Sequence, residues 1–544
     1  MKKSIITSAS LIALAAAAPA LAQSVSTLDQ TGNGNGATVA QAGNNTSDVD
    51  QTGNNNRVTV GQSGNGNSSD IDQNALQAGA FVTQTGANNT STVVQQDGSA
   101  QNSLGLPEDP EATVTQSGNG NASTVNQNSV APGFNLVANV SQSGGGNVSN
   151  VDQDALGPNW SGSLRAVVTQ TGQADSDVVQ VAGNTGAMGL NATVTQDAST
   201  STIDQMATGQ RSGMLTAIVN QQSGSDSQLT QTASGERSGD LYASVRQQNG
   251  AISTVTQTAN GFAAVNQDAI VKQNGASTAD ISQTFDNDGS NTFFASVDQT
   301  GAGNIANVTQ RDEGFGIVGN ADSGLSATVL QNGTNNTTDL VQENKSATAT
   351  ITQQGIGNTT DAFQGTAGQK LIVLQTGNNN TSNTNQLGLN NSADVFQAAT
   401  GTGATSTINQ TGRNDLAFVD QLVGSDGSTS LITQTGAGGD RSENSASVTQ
   451  SGAGNGSEIT QSGFNSTALL DQSGAGNTSS ITQTGTVDGL GNTADVTQSG
   501  SDNESTILQN GSLNSATVTQ SSNNNLSNIS QTGTGGTVIV TQGF

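Results

Sequence analysis

The side chains that could do chemistry in this chain are carboxamides, and they recur at a fixed spacing. A Val-x-Gln or Ile-x-Gln step returns about every eleven residues and is usually followed by Thr-Gly or Ser-Gly, as from Gln30 to Gln41 and from Gln51 to Gln62. A carboxamide both donates and accepts hydrogen bonds, so copies stacked above one another can bond in a continuous column. The spacing therefore favours hydrogen bonding between stacked repeats, which is typical of folds built from one small unit.

Catalytic side chains are largely missing. The chain has no His and no Cys, which excludes imidazole acid–base catalysis and thiol nucleophiles. Its carboxylates and hydroxyls follow the repeat instead of gathering in one place. The Asp-rich segment at residues 285–289 offers oxygen ligands for Ca²⁺, but no calcium-binding repeat accompanies it, and a solvated acidic loop is the favoured interpretation. We therefore expect no enzymatic activity, no cofactor and no metal site.

Short strands joined by glycine turns would position the carboxamides. Taking Gln30 as zero, the residues at +5, +7, +9 and +11 have the same parity and face one side of an extended strand. In the first repeat these residues are Asn35, Ala37, Val39 and Gln41. The glycine-rich gap after Gln30 supplies the positive φ angles of a tight corner. Each repeat is thus predicted to be a strand and a turn, with Asn-x-Ala/Ser-x-Val-x-Gln facing inward.

The spacing of the glutamines indicates how many strands form one layer. Between Gln95 and Gln331 short and long gaps alternate, for example 10, 16, 9, 16, 10 and 16 residues from Gln170 to Gln247. With two strands per rung every long gap falls at the same edge, whereas a three-sided coil would place insertions at every third gap. We predict an all-β fold, a two-sided β-solenoid of stacked strand-turn-strand rungs, with loop insertions at one edge between about residues 96 and 330.

The chain divides into a leader and one repeat domain. Residues 1–22 combine a basic start, an apolar stretch and a small-residue cleavage site, which predicts a secretory signal peptide, and residues 23–544 form the repeat domain. The formal net charge of −28 disfavours nucleic acid as a partner. No second apolar segment is long enough to predict a membrane span.

Two sets of residues are expected to carry self-assembly. The stacked carboxamides are expected at Gln30, Asn35, Gln41, Asn56, Gln62, Asn67, Gln116, Asn121, Gln127, Asn304, Gln310, Asn514, Gln520, Asn525, Gln531 and Gln542. The turn glycines are expected at Gly32, Gly53, Gly64, Gly118, Gly301 and Gly511.

The repeat resembles the curlin repeat, in which Gln-x-Gly-x-x-Asn-x-Ala leads to a further Gln. The first copy matches at Gln30, Gly32, Asn35, Ala37 and Gln41. Further copies match at Gln299, Gly301, Asn304, Ala306 and Gln310, and at Gln509, Gly511, Asn514, Ala516 and Gln520. The resemblance implies a secreted subunit of curli, the extracellular amyloid fibres of Gram-negative bacteria that serve biofilm and adhesion. It also implies self-association through Gln and Asn columns, aided by a nucleator, a chaperone and an outer-membrane export pore.

Three departures from the curlin pattern leave other functions open. The chain is several times longer than a five-repeat curlin, shows no separate export segment before the first repeat, and carries loop insertions. We predict a fibre-forming structural protein. The alternatives are a monomeric β-solenoid surface adhesin, or a minor or nucleating subunit of a fibre.

Overall fold

The computed structural model describes residues 23–97, 110–130, 135–157, 163–183, 186, 189–261, 265–286, 291–312, 324–343, 346–436, 442–485 and 490–543. The predicted leader at residues 1–22 lies outside the described residues, as do positions 287–289 of the acidic loop.

The chain forms two compact units. One comprises Met1–Arg246 with Thr258–Ala264, and the other comprises Gln247–Gln257 with Val265–Phe544. The strands β18 (Leu241–Gln248) and β19 (Ile252–Ala259) contain residues of both.

Seventeen complete strands lie in the described residues of the first unit. They are β1 (Val25–Thr31), β2 (Gly36–Ala42), β3 (Thr46–Asn54), β4 (Arg57–Asn65), β5 (Ser68–Leu76), β6 (Gly79–Ala87), β7 (Thr90–Asp97), β8 (Glu111–Asn119), β9 (Ala122–Ser129), β10 (Leu136–Gly145), β11 (Val148–Ala155), β12 (Leu164–Thr171), β13 (Asp175–Ala182), β14 (Leu190–Asp197), β15 (Thr200–Ala207), β16 (Leu215–Gln222) and β17 (Asp226–Ala233).

The second unit contains the remaining strands. They are β20 (Val265–Asn274), β21 (Thr278–Phe285), β22 (Asn291–Thr300), β23 (Ile305–Asp312), β24 (Leu325–Thr334), β25 (Thr337–Glu343), β26 (Thr348–Ile356), β27 (Thr359–Gln364), β28 (Lys370–Gln375), β29 (Thr381–Gln386), β30 (Ser392–Gln397), β31 (Thr405–Gln410), β32 (Leu416–Gln421), β33 (Thr429–Thr435), β34 (Ser445–Gln450), β35 (Gly456–Ser462), β36 (Thr467–Gln472), β37 (Thr478–Gly485), β38 (Thr493–Gln498), β39 (Glu504–Ser512), β40 (Ser515–Gln520), β41 (Leu526–Thr534) and β42 (Thr537–Gln542).

Strands in each unit pair in parallel with the strand two positions along the chain. In the first unit β1 pairs with β3 and β2 with β4, and in the second β27 pairs with β29 and β28 with β30. Odd-numbered strands therefore form one sheet and even-numbered strands the other, so that two successive strands make one rung. The predicted all-β, two-sided solenoid is confirmed in each unit. Within the described ranges no helix is long and apolar enough to cross a membrane.

A thin core lies between the two sheets because every second side chain points inward. In the first unit β8 buries Ala112 and Val114 while β9 buries Ser123 and Val125. Each fully buried Val contributes roughly 1.5–3 kcal/mol relative to an exposed one. The alternation of buried and exposed positions, which a strand imposes, makes the same face of every repeat available for stacking.

An additional apolar column widens several rungs. In the first unit it contains Leu136, Leu164, Leu190, Leu215 and Leu241 together with Ala155, Ala182, Ala207, Ala233 and Ala259. In the second unit Phe285 and Phe293 occupy a comparable cluster, with ring centroids 6.1 Å apart and ring planes at 76°. From β7 to β24, the strand bounds place every longer connection after an odd-numbered strand.

Candidate functional site: carboxamide columns and terminal rungs

The inward glutamines form continuous hydrogen-bonded columns. In the first unit Gln51 donates from Nε2 to Oε1 of Gln73 at 2.8 Å, and Gln73 donates to Gln95 at 2.7 Å. In the second unit Gln353 donates to Gln375 at 2.9 Å and accepts from Gln331 at 2.7 Å. In each of these bonds the lower-numbered glutamine is the donor. Register makes this possible, because each Gln lies opposite the Gln of the next rung.

In many of the glutamines a second hydrogen bond satisfies the other amide hydrogen. Gln62 Nε2 donates to Thr46 O at 2.9 Å, and Gln353 Nε2 donates to Thr337 O at 2.9 Å. The acceptor carbonyl belongs to the opposite sheet, so these bonds also join the two sheets. A buried amide is tolerated because all of its polar atoms have partners.

The asparagines form columns at the corners whose bonds run in the opposite direction. Asn89 Nδ2 donates to Asn67 Oδ1 at 3.0 Å, and Asn121 Nδ2 donates to Asn89 Oδ1 at 3.0 Å. The backbone N–H of Asn121 reaches the same oxygen at 3.1 Å. In the second unit Asn336 donates to Asn304 at 3.1 Å. In these bonds the higher-numbered asparagine is the donor. The asparagine side chain also bonds a backbone carbonyl of its own turn, as Asn89 Nδ2 does with Thr85 O.

The structure places the candidate carboxamides in these columns at different depths. Those covered by a rung on both sides are buried: Asn56, Gln62, Asn67, Gln116, Asn121, Gln127, Asn304, Gln310, Asn514 and Gln520. Gln531, on the last odd-numbered strand, is also buried. Those near the first and last described rungs are half-buried: Gln30, Asn35, Gln41, Asn525 and Gln542. Some corner positions hold other residues, among them Ala78, Ala174, Ser199 and Asp415.

The turn glycines combine positive φ with close backbone stacking. Gly301 has φ of 103°, and a Cβ atom there would lie 1.9 Å from Gly333 O in the next rung. Any side chain would therefore separate the two rungs. Positive φ is also found at Gly32, Gly53, Gly64, Gly118 and Gly511.

The first and last described rungs present different hydrogen-bonding groups. Gln41 Nε2 donates to Gln62 at 2.7 Å, and in the described part of the chain no group donates to its Oε1. Gln542 accepts from Gln520 at 2.9 Å and donates one amide hydrogen to Leu526 O at 2.8 Å. Among the described strands β41 pairs only with β39, and β42 only with β40. In the glutamine columns, the first described rung thus offers acceptor oxygens and the last one offers amide donors.

Carboxylates crowd the outer face of the first odd-numbered strands. Asp29 lies opposite Asp50, and Asp48 lies opposite Asp70. Burial raises the pKa of Asp50, and the neighbouring carboxylates, led by Asp48, raise it further. The same causes raise the pKa of Asp70. In the described ranges no three acidic side chains come together as a metal-ion site.

Sequence reasoning missed two features that the sequence does signal. The first inward position is mostly Ala on even-numbered strands and mostly Ser on odd-numbered ones, as at Ala112 and Ser123. The additional apolar column appears as a Leu six residues before a Gln, such as Leu164 before Gln170. Either pattern would have assigned successive repeats to two different sheets.

Four segments of the chain match the family model described as the curlin associated repeat. They are residues 44–74, 442–474, 455–485 and 489–521. No curated protein matches the chain.

Proposed function

We propose, from the premise that this chain belongs to the curlin-repeat family, that it is a secreted subunit that stacks end to end into curli-like extracellular amyloid fibres. The curlin repeats and the solenoid fold fit a curli-like structural protein, and such proteins are not catalysts. The fibres would serve biofilm matrix and cell adhesion at the surface of a Gram-negative bacterium.

The complementarity of the terminal rungs carries this proposal. Amide donors of Gln531 and Gln542 in one copy can meet the acceptor oxygens of Gln30 and Gln41 in the next. The repeat phase also agrees, because β41 and β1 both place an apolar residue two positions before the inward Gln. An exposed strand edge that continues the register of its own sheet favours addition of another copy, and this contact repeats without closing.

Joining is expected in one direction only. Contact between two first rungs would set the oxygens of Gln30 and Gln41 against each other, and would bring Asp29 of both copies together. Like charges and facing acceptors disfavour that arrangement. The partner is therefore a second copy, and we propose a curli-type nucleator, chaperone and outer-membrane pore as assisting partners, with residues 1–22 as the export signal.

Blocking the free edge of β42 tests the proposal. Ser515 donates its N–H to Gly536 O one rung further on, and Thr537 lies opposite Ser515. By alternation the N–H of Ile539 points away from β40, and this residue is 72% exposed. Ile539→Pro removes that donor without breaking a bond to β40. We expect the folded variant to lose seeded, thioflavin-positive elongation by at least about tenfold, since growth needs every edge bond.

The matched control is Ile539→Thr, which shortens the same side chain and keeps the N–H. It should elongate at nearly the rate of the unchanged chain, and circular dichroism should show β structure in both variants. Equal elongation by the proline and threonine variants would overturn end-to-end stacking at β42.

One observation favours a second candidate, a monomeric β-solenoid adhesin. In each unit the longer connections between β7 and β24 follow odd-numbered strands, which is the order that a binding edge would need. Purified protein that stays monodisperse when seeded would support the adhesin. Assembly only with a partner curlin would support a minor or nucleating subunit.

A further inference from the structure

The tetrapeptide Gly-Asn-Gly-Asn forms a corner of the first unit in three places, each time shortly after an inward glutamine. The copies are residues 32–35, 64–67 and 118–121. In each copy the first asparagine and the glycine that follows it are exposed to solvent. Because local sequence and exposure are alike, a difference in reactivity between these Asn-Gly steps must come from their hydrogen bonds.

On the inner rungs, the preceding rung holds both groups of the Asn-Gly step. Gly120 donates its N–H to Ala87 O at 2.9 Å, and Asn119 Oδ1 accepts the N–H of Ala87 at 3.0 Å. The copy at residues 64–67 is held in the same way by the backbone of Asn44. The glycine nitrogen and the asparagine side chain are therefore both fixed on these rungs.

The step Asn33–Gly34 lacks these two bonds because no rung precedes β1 within the described residues. In the described part of the chain, no group accepts the N–H of Gly34 and none bonds to the side chain of Asn33. The following rung holds only the backbone of Asn33, through Asn55 N–H to Asn33 O at 2.8 Å and Asn33 N–H to Asn54 Oδ1 at 2.9 Å. The Gly34 nitrogen and the Asn33 side chain can therefore turn toward each other.

A second Asn-Gly step on the same rung is held by hydrogen bonds. Gly36 donates its N–H to Asn56 O at 2.8 Å, and Asn35 Nδ2 donates to Thr31 O at 3.1 Å. Position on the first rung therefore does not by itself free an Asn-Gly step.

We propose that Asn33 is a site of spontaneous deamidation that is open in the free chain and closed in a stacked one. Base in solution removes the proton from the Gly34 nitrogen, which then forms a bond to Cγ of Asn33. The bond from Cγ to Nδ2 breaks, Nδ2 takes a proton from water and leaves as ammonia, and a succinimide ring remains. Water opens the ring at either carbonyl and gives aspartate or isoaspartate. Glycine favours ring closure because no Cβ obstructs its nitrogen.

The closed state rests on the proposed end-to-end stacking. Thr534 lies three residues after an inward Gln, as Ala87 does. In a stacked pair its N–H and C=O are expected to bond Asn33 Oδ1 and the Gly34 N–H of the next copy. Deamidation before stacking adds a carboxylate to a rung that already displays Asp29, and isoaspartate also lengthens the main chain of the corner. Either product opposes addition of another copy, so a free end loses its capacity to join as it ages.

Conversion rates in the purified soluble chain test the site. Each asparagine is followed by tandem mass spectrometry in mildly alkaline buffer. Asn33 should convert at least about tenfold faster than Asn35, Asn65 and Asn119, because those steps must first break hydrogen bonds. In the chain unfolded by urea, Asn33, Asn65 and Asn119 should convert at similar rates.

Three results would overturn the site. The first is equal conversion of Asn33 and the inner copies in the folded chain, and the second is an equally large excess at Asn33 in urea. The third is equal conversion of Asn33 and Asn35 in the folded chain, since fraying of the whole first rung would then explain the reaction.

Seeded fibres test the closed state and its effect on growth. Conversion of Asn33 should fall at least about fivefold in fibres. Soluble chain aged before seeding should lose elongation in proportion to its converted fraction, whereas aged Asn33→Ala, which cannot cyclise, should elongate like its own fresh sample. Alanine occupies the same corner position at Ala87 and Ala302. The matched control Asn65→Ala should age like the unchanged chain.

Failure of the proposed function gives a different result. If the unchanged chain forms no fibres, the conversion rates in soluble protein decide the site alone. Fibres that leave the conversion of Asn33 unchanged would overturn the closed state. Equal loss of elongation by aged Asn33→Ala and the aged unchanged chain would overturn control of the end by deamidation.

Discussion

At the scale of the residue, the stacked amide is the unit that makes a polar interior stable. Gln353 is fully buried, yet its Nε2 donates to Thr337 O and Gln375 Oε1, and its Oε1 accepts from Gln331. Each bond is modest by itself, and removal of one amide leaves partners on both neighbouring rungs unpaired. Burial of a single amide would be unfavourable, but the repeat supplies hydrogen-bonding partners on both neighbouring rungs. The stability of each amide therefore depends on the amides above and below it.

Adjacent glutamines on β26 allow a matched test of this cooperativity. Gln353→Leu removes the column amide, whereas Gln354→Leu changes an exposed side chain next to it. We expect the first substitution to lower the opening free energy of the surrounding amides by about 1–3 kcal/mol because buried partners are left unpaired. The second should change it by less than about 0.5 kcal/mol. Hydrogen exchange of β24, β26 and β28 measures both, and equal effects would contradict the cooperative column.

At the scale of the element, the sequence was sufficient to predict the strand, the turn and the two-sided rung. Parity from Asn35 to Gln41 and the alternating gaps from Gln170 to Gln247 contain that information. Bond direction within a column was not predictable, because an amide can be stacked either way without changing the sequence pattern. The pairing of Phe285 with Phe293 was not predictable either, since it occurs where only one rung needs aromatic volume.

The corner column before the even-numbered strands contains a buried carboxyl. Asp415 is fully buried between Asn391 and Asn444, accepting the N–H of Asn444 at 2.9 Å and donating its own to Asn391 Oδ1 at 2.9 Å. Asn391 Nδ2 donates to Gly412 O, a role that a protonated carboxyl can copy and an ionised one cannot. Burial raises the pKa of Asp415, although hydrogen bonds from Asn444 and Ser442 oppose the rise.

Because the pKa of Asp415 is higher in the native state than in the unfolded state, its protonation contributes to the stability of the fold. This contribution is complete at low pH and is lost as the pH rises through the native pKa. Asp415→Asn should therefore match the unchanged chain near pH 3 and exceed it in melting temperature at about pH 8. Asp471→Asn, an exposed carboxyl on β36, is the control and should show no such gain. A melting temperature for Asp415→Asn that stays below the unchanged chain at the higher pH would contradict a proton held at this corner.

At the scale of the whole molecule, charge opposes the association that the rungs favour. The chain contains 41 acidic and 13 basic residues and has an isoelectric point near 4.1. If copies stack end to end as proposed, this charge would repel them at neutral pH and keep them apart until an end or a seed is available. Assembly is thus expected to depend on salt concentration and pH more strongly than the folding of each unit does.

Salt and pH should therefore control the rate of assembly. From about 0.01 M to about 0.15 M salt the screening length falls from roughly 30 Å to roughly 8 Å. We expect the thioflavin lag time at pH 7 to shorten several-fold over this range. Lowering the pH toward 4.1 at low salt should have the same effect, because net charge disappears there. A lag time that is constant or longer under both changes would contradict charge as the barrier.

The opposed directions of the Gln and Asn bonds affect how the stack can lengthen. Aligned amide dipoles add along an α-helix and leave partial charges at its ends. Here the glutamine-to-glutamine bonds point toward higher-numbered rungs and the asparagine-to-asparagine bonds toward lower-numbered ones, as at Gln51 and Asn89. Asn89 Nδ2 also donates to Gly118 O on the higher-numbered rung. Amide donors therefore point in both directions along the stack. In the proposed fibre, donors that point both ways would limit the polarisation that builds up as layers are added, so that late layers would join on nearly the same electrostatic terms as early ones.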